Sequence, residues 1–249
     1  MTALELLIDF YKNTERQGPG STSETIKALN LTNINKNHAV KIADIGCGTG
    51  AQTITLAQHI KGQIIAVDLF PEFLDKLKLR SEELGFQGKI ITLQESMEDL
   101  PFDKEEFDII WSEGAIYNMG FEKGIKKWKK YLKAGAYLCV SEITWITNSR
   151  PEEIEAFWNK EYPEIDTAAN KIRQLKENGY SSVEYFALSE NSWLDNFYTP
   201  LEKQFSAFLE RHDHSEKAKD ILEGHKEEIS LYKKYKDYYS YGFYIAKKK

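Results

Sequence analysis

The chain has 249 residues, 41% hydrophobic and 29% charged, enough apolar material for a full core and enough charge to keep it in solution. Its formal net charge of −6 excludes a global field that would gather nucleic acid or an anionic membrane surface. The two cysteines, Cys47 and Cys139, exclude a disulfide framework, and with no signal-type N-terminus and no apolar run of membrane-spanning length a soluble, cytoplasmic protein is expected.

Residues 3–13 place Leu4, Leu7, Ile8 and Tyr11 at helical spacing, which predicts an amphipathic helix. Arg16-Gln17-Gly18-Pro19-Gly20 breaks it into a loop. Ser21-Thr22-Ser23-Glu24 has the spacing of a capping box, so a second helix follows and turns Ile26 and Leu29 inward. A polar connector fills residues 30–38. From residue 39 strands and helices alternate. Ala39, Val40, Ile42 and Ile45 form a buried strand that ends at a glycine loop, and a helical pattern begins at Ala51. A second strand, 63–67, ends at Asp68. The helix opened by Pro71 is expected to bury Phe73, Leu74, Leu77 and Leu84 and to stop at Gly85. Strands over 89–93 and 107–111 flank a turn at 100–103, a helix covers 121–132, and a fifth strand covers 136–145. Beyond Arg150-Pro151 the alternation breaks. Helices are expected over 151–161, 168–178, 201–211 and 221–235, with strands over 182–188 and 239–246 and a frayed tail at 247–249. The pattern predicts a doubly wound α/β three-layer sandwich. Its seven-stranded sheet is mostly parallel with the last strand antiparallel, joined by an N-terminal helical flap and a C-terminal helical cap.

The chemistry concentrates around Lys41-Ile42-Ala43-Asp44-Ile45-Gly46-Cys47-Gly48-Thr49-Gly50. Strand, glycine loop and helix present a nucleotide-like ligand at the carboxyl end of a first strand. The loop is Asp-x-Gly-x-Gly-x-Gly, not the Gly-x-Gly-x-x-Gly that brings a helix terminus onto a pyrophosphate. Asp44 would repel a pyrophosphate and suits a cationic ligand. Asp68 ends the second strand, where an acidic side chain accepts both hydroxyls of a ribose. Glu95-Ser96-Met97-Glu98-Asp99-Leu100-Pro101-Phe102 leaves the third strand as a loop able to flank an adenine. Phe107-Asp108-Ile109-Ile110-Trp111-Ser112-Glu113 is a strand with its polar end in the same crevice.

Over residues 39–145 these motifs resemble class I S-adenosylmethionine-dependent methyltransferases, with the nearest look to the ubiquinone and menaquinone biosynthesis branch. The resemblance implies a Rossmann-like cofactor core at 34–147, a flap at 1–33 and a cap with the substrate region at 148–249, all within one domain, 1–249. It implies S-adenosylmethionine as cofactor, with Asp44, Gly46, Cys47 and Gly48 along its methionine part and Asp44 near the ammonium. Asp68 would hold the ribose, and Leu69 and Phe73 would pack on the adenine. Ser96 and Met97 take the position of the adenine contact, where Ser96 departs from the family's usual aspartate. Gln17, Gly18 and Tyr11 resemble the flap that covers the cofactor in some members. Glu113 falls near the methyl donor and, with Tyr117 and Tyr11, is a candidate base for an acceptor that must lose a proton.

Competing readings are weighed beside these. Cys47 reads as a small loop residue, with nothing near it in sequence to activate a thiolate. His212, His214 and His225 read as a solvated helix junction, so no metal is expected. The six lysines between Glu122 and Lys133 read as a solvated helix face burying Ile125, Trp128 and Leu132, in preference to an RNA patch. Trp145 and Trp193 are the aromatics assigned to an acceptor-pocket wall. The expected partner is a small-molecule substrate, apolar or aromatic, for a monomer or homodimer without nucleic acid or membrane. Methyl transfer to RNA or protein, an NAD-dependent oxidoreductase and a non-catalytic cofactor-binding module are the alternatives.

Overall fold

A computed structural model describes all 249 residues. The strands are β1 (Ala39–Ile45), β2 (Lys61–Asp68), β3 (Ile90–Gln94), β4 (Phe107–Ser112), β5 (Leu132–Trp145), the two-residue β6 (Asp166–Thr167), β7 (Tyr180–Ala187) and β8 (Tyr239–Lys248). They join in the order β3-β2-β1-β4-β5-β8-β7, with β6 added beside β5. Pairings are parallel through β5, and β8 runs antiparallel between β5 and β7. The seven longer strands match the predicted sheet, and β6 is an addition that no alternation in the sequence announces.

Side-chain alternation divides the core between the two faces of the sheet. On one face Val40, Ile42, Ile64, Ala66, Ile109 and Cys139 pack beneath α2 (Thr22–Leu31), α3 (Ala51–His59) and α4 (Pro71–Glu83). On the other, Ala43, Ile45, Val67, Ile110 and Leu138 pack beneath α5 (Phe121–Trp128) and α7 (Ala168–Glu177). Trp128 and Ile125 of α5 are fully buried, so the lysine-rich helix has the inward face its spacing predicts. Its lysines bond outward, Lys123 to Glu98 and Lys126 to Glu122.

A third cluster caps the end of β5. It joins α1 (Ala3–Tyr11), α6 (Glu152–Glu161), α8 (Glu190–Trp193), α9 (Thr199–Glu202), α10 (Phe205–Arg211) and α11 (Glu216–Tyr235). In α1 the buried residues are Leu6 and Phe10, not the predicted stripe. Leu4 is 54% exposed, because the stripe faces a cavity while Leu6 and Phe10 face the cap.

Several boundaries differ from expectation for local reasons. Leu84 is 49% exposed: it caps α4 after the last inward turn, with its N–H bonded to Arg80 O. The helix from Phe121 ends at Trp128, passes through a 3₁₀ turn and becomes strand at Leu132, which pairs with Phe107 before a bulge. Residues 201–211 split into α9 and α10, preceded by helical turns from Glu190 that the sequence pattern missed. The tail does not fray. Lys247 pairs with Tyr137, and Lys248 pairs with Tyr180 and donates through Nζ to Leu132 O at 2.6 Å.

At α2, Ser21 caps through Glu24 N, but the Glu24 carboxylate accepts from the hydroxyls of Ser21 and Ser192 and from Ser189 N, not from the Ser21 backbone N–H that would complete the box. A complete capping box forms instead at Thr2 and Glu5 of α1.

Candidate cofactor and acceptor site

The glycine loop is tied to β2. The N–H groups of Gly46 and Cys47 both donate to Val67 O, at 2.8 and 2.9 Å. Gly46 and Gly48 hold φ of +75° and +55°, which L side chains adopt at a cost. A Cβ on Gly46 would stand 2.4 Å from Ala115 Cβ, and one on Gly48 2.1 Å from Gln17 Oε1. Glycine is therefore required twice here, by the backbone and by what lies against it. Asp68 continues the same geometry: Oδ2 accepts from Gly48 N at 2.8 Å and Oδ1 from Phe70 N at 3.1 Å. Burial pushes its carboxyl up, and these N–H groups oppose the push.

A cavity of about 480 Å³ opens beyond the loop, walled by the ends of β1, β2, β3 and β4 and by α1. It brings together most of the residues singled out from sequence. Gly46, Cys47, Gly48, Asp68, Leu69 and Phe73 line it on the first two strand ends. Ser96, Met97, Glu113 and Tyr117 line it after β3 and β4, and Tyr11, Gln17 and Gly18 from the N-terminal segment. Leu69 is 56% exposed at the rim, whereas Phe73 is buried in the wall. Ser96 Oγ accepts from Glu98 N, and Met97 O accepts from Trp128 Nε1 at 3.0 Å, which fixes the loop after β3.

Asp44 is the exception. It does not line the cavity, because alternation along β1 turns it to the same side as Val40 and Ile42, toward α3. There its carboxylate accepts from Thr53 Oγ1 and from Gln52 Nε2, and Gln52 in turn reaches the cavity. Complete burial raises its pKa from an ordinary 3.8 to about 7, against the Thr53 hydrogen bond. The folded chain thus keeps the Asp44 proton through a window in which the unfolded chain has released it. Stability is lost as pH rises from about 4 to 7, by on the order of 4 kcal/mol. Asp44→Asn is expected to remove that contribution. In urea unfolding, the stability difference between pH 5 and pH 8 should be smaller for the variant, and an unchanged difference refutes the assignment.

The loop after α1 clamps the glycine loop. Gln17 Oε1 accepts from Thr49 N at 2.9 Å, while its Nε2 donates to Tyr11 O, Thr14 and Thr49 Oγ1. Arg16 Nη1 pairs with Glu113 Oε2 at 3.2 Å, both side chains less than a tenth exposed. Glu113 Oε1 also accepts from Thr25 Oγ1 at 2.7 Å and from Trp111 Nε1 at 2.9 Å. Three donors occupy this carboxylate, so the geometry makes Glu113 the catch of the flap. Burial raises the Tyr11 and Tyr117 phenols above their ordinary range, so both are neutral hydroxyls near pH 7.

The wall opposite the loop is not the predicted one. Trp193 is core: Nε1 donates to Ser240 Oγ at 3.0 Å, and its ring stacks on Tyr232 and Tyr241. Trp145 is likewise buried in the cap. Leu4, Leu7, Ile8 and Tyr11 of α1 supply the apolar side, with Phe70. Helical spacing had found that stripe, but spacing alone does not say whether a face meets core or cavity. Gln52 and Arg16 had no sequence signal beyond their place beside the motifs. Among the histidines, His212 Nε2 meets Asp9 with both side chains largely buried, while His225 is stacked on Phe10 and burial lowers its pKa to about 4. Burial likewise pushes the Cys47 thiol well up, which keeps it from acting as a nucleophile.

The site suits an adenosyl sulfonium. Asp68 stands at the end of β2 beside the loop and lines the cavity, and the glycines leave the loop without Cβ atoms.

Residues 42–135 match the family described as methyltransferase domain. The chain is 23% identical over 153 residues to a ubiquinone/menaquinone biosynthesis C-methyltransferase of Idiomarina loihiensis, covering 60% of this chain and 59% of the relative. It is 25% identical over 147 residues to a sarcosine/dimethylglycine N-methyltransferase of Aphanothece halophytica, covering 58% and 53%. The chain spans about half the length of the curated relatives it matches. Its fold is similar to that of a SAM-dependent methyltransferase from Geobacter sulfurreducens solved with S-adenosyl-L-homocysteine. That likeness has a TM-score of 0.85 at 16% identity and covers 98% of each chain.

Proposed function

We propose, from the premise that the chain belongs to the class I S-adenosylmethionine-dependent methyltransferases, that it transfers a methyl group from that cofactor to a small, apolar or aromatic metabolite. The observation that carries the reading is the single cavity joining the glycine loop, the Asp68 carboxylate and the apolar stripe of α1. One end offers polar groups to a nucleoside and the other offers Leu4, Leu7 and Ile8 to an acceptor. Relatives named for a quinone carbon and for an amine nitrogen leave the acceptor class open on comparison alone.

When bound, the cofactor supplies an electrophilic methyl on a sulfonium, a displacement that needs no metal and no covalent enzyme intermediate. The chain's own part is alignment and exclusion of water, for which proximity supplies roughly 7–11 kcal/mol. Asp68 accepts from the ribose hydroxyls while its other lone pairs hold the loop. Arg16, paired to Glu113, and Gln17, bonded to Thr49, close the flap over the cavity and keep solvent out. Tyr11 and Tyr117 present neutral phenols and ring faces where positive charge is to be held.

Calorimetry with S-adenosylmethionine and S-adenosylhomocysteine tests the reading. Binding of both is expected, and binding of neither refutes it. A fluorescence titration with NADH separates it from a dehydrogenase, and radiolabelled methyl transfer into fractionated metabolites, RNA and protein identifies the acceptor class.

A further inference from the structure

With Asp44 turned away from the cavity, the side chain that joins the two is Gln52, in the first turn of α3. Gln52 is 6% exposed and lines the cavity together with Cys47 and Gly48. Its Nε2 donates to Cys47 O at 3.2 Å and to Asp44 Oδ1 at 3.4 Å. A backbone carbonyl only accepts, so the bond to Cys47 O decides which way the amide faces. The nitrogen lies toward the loop and Asp44, and Oε1 lies away from them. No protein group donates to Oε1, yet the atom is not sealed in; the surface it keeps opens on the cavity.

The surroundings decide which donor this oxygen suits. Arg16 is the one basic side chain on the cavity wall and is paired to Glu113, while Asp68, Glu95 and Glu98 are further carboxylates along it. Behind the amide, Asp44 is fully buried, with Thr53 Oγ1 donating to its other oxygen. Accepting from Nε2, Asp44 polarises the amide and strengthens Oε1 as an acceptor, because hydrogen bonds in series reinforce one another. A neutral donor gains only the hydrogen bond. An ammonium gains the hydrogen bond, the surrounding negative field and the carboxyl group behind the amide. Burial favours the protonated form of Asp44, and a cation one amide away favours the ionised one.

We propose that Gln52 is a cofactor-binding residue whose Oε1 accepts from the ammonium of the cofactor's methionine tail, with Asp44 as the positioning residue behind it. This rests on the methyltransferase reading. It moves the ammonium contact, which the resemblance implies for Asp44, to the side chain that reaches the cavity. Gln52 is separable from the loop it touches, since Cys47 O also accepts from Gly50 N at 3.0 Å and keeps that partner when the amide is removed.

The test uses the full chain and reads binding by calorimetry, independent of turnover. The probes are S-adenosylhomocysteine, its deamino analogue with the same carboxylate-bearing chain, and methylthioadenosine, which lacks the amino-acid tail altogether. The parent is expected to bind S-adenosylhomocysteine at least about tenfold more tightly than the deamino analogue. Gln52→Leu should abolish that preference: S-adenosylhomocysteine affinity falls at least about tenfold, while the deamino analogue and methylthioadenosine bind as before. Asp44→Asn leaves Gln52 in place and removes the charge behind it, so S-adenosylhomocysteine should weaken at least about threefold with methylthioadenosine unchanged. Unaltered S-adenosylhomocysteine affinity in Gln52→Leu overturns the proposal. So does a parallel loss of all three probes in both variants, which would make the pair a prop for the loop. Failure of S-adenosylhomocysteine and methylthioadenosine alike to bind the parent overturns the methyltransferase reading instead.

Discussion

Asp68→Ala is expected to weaken S-adenosylhomocysteine binding by about 100-fold, close to 2.7 kcal/mol. The structure gives this carboxylate more to do than its place at the end of β2 suggests. It holds Gly48 N and Phe70 N, so it shapes the loop as well as lining the cavity. Removing it leaves two N–H groups unpaired, each costing about 1–3 kcal/mol unless water replaces the acceptor. Because the residue ends a strand at a cavity and not in the core, the fold should survive, with a melting point only a few degrees lower. Asp68→Asn keeps one acceptor and loses the charge, so an intermediate loss near tenfold is expected. Calorimetry on the three proteins reads both effects, and equal affinities would remove Asp68 from the ribose assignment.

The largest loss of stability is expected from Lys171→Met. Lys171 is 1% exposed and Glu142 fully buried, and they pair at 3.0 Å between α7 and β5. Lys171 Nζ also donates to Glu164 O at 2.8 Å and sits 4.5 Å over the Phe121 ring. A buried pair broken on one side leaves a charge in low dielectric, which costs about 3–5 kcal/mol. For a chain of this length that lowers the melting point by roughly 10 °C. The pH dependence gives a second handle. Burial pushes the Glu142 carboxyl up, and Lys171 is what pulls it down. Without the lysine the folded carboxyl rises further, so the variant is least penalised when Glu142 is protonated and loses stability as pH rises through that value. Lys171→Met combined with Glu142→Gln should recover most of the loss. A single variant as stable as the parent at neutral pH would show that the pair contributes nothing.

The glycine-loop half of the cavity was legible in the sequence for a plain reason. Its determinants are backbone determinants: glycines that permit positive φ at Gly46 and Gly48, and a strand end at Asp68, all set by local order along the chain. Asp44 marks the limit of that reading. Its motif position was found, but a one-residue alternation along β1 decides which way the carboxylate points, and it points to α3. The opposite wall of the cavity differs from expectation where it depends on distant segments. Trp145 and Trp193 carry the aromatic character of a pocket wall, yet α11 and β8 pack them into core. Leu4, Leu7 and Ile8 carry the character of a core face, yet α1 turns them to the cavity.

What the sequence determined by itself, then, was the α/β alternation, the parallel sheet, the glycine loop and the acidic residues at strand ends. Periodicity, glycine and capping act within a few residues, and such signals survive without knowledge of the rest of the chain. Tertiary structure alone decided the catch between Arg16 and Glu113, 97 positions apart, and the pairing of Lys171 with Glu142. Those contacts join segments brought together only when hydrophobic burial folds the cap over the sheet. Burial is non-directional along the sequence, so it leaves no local mark of which polar groups it will enclose.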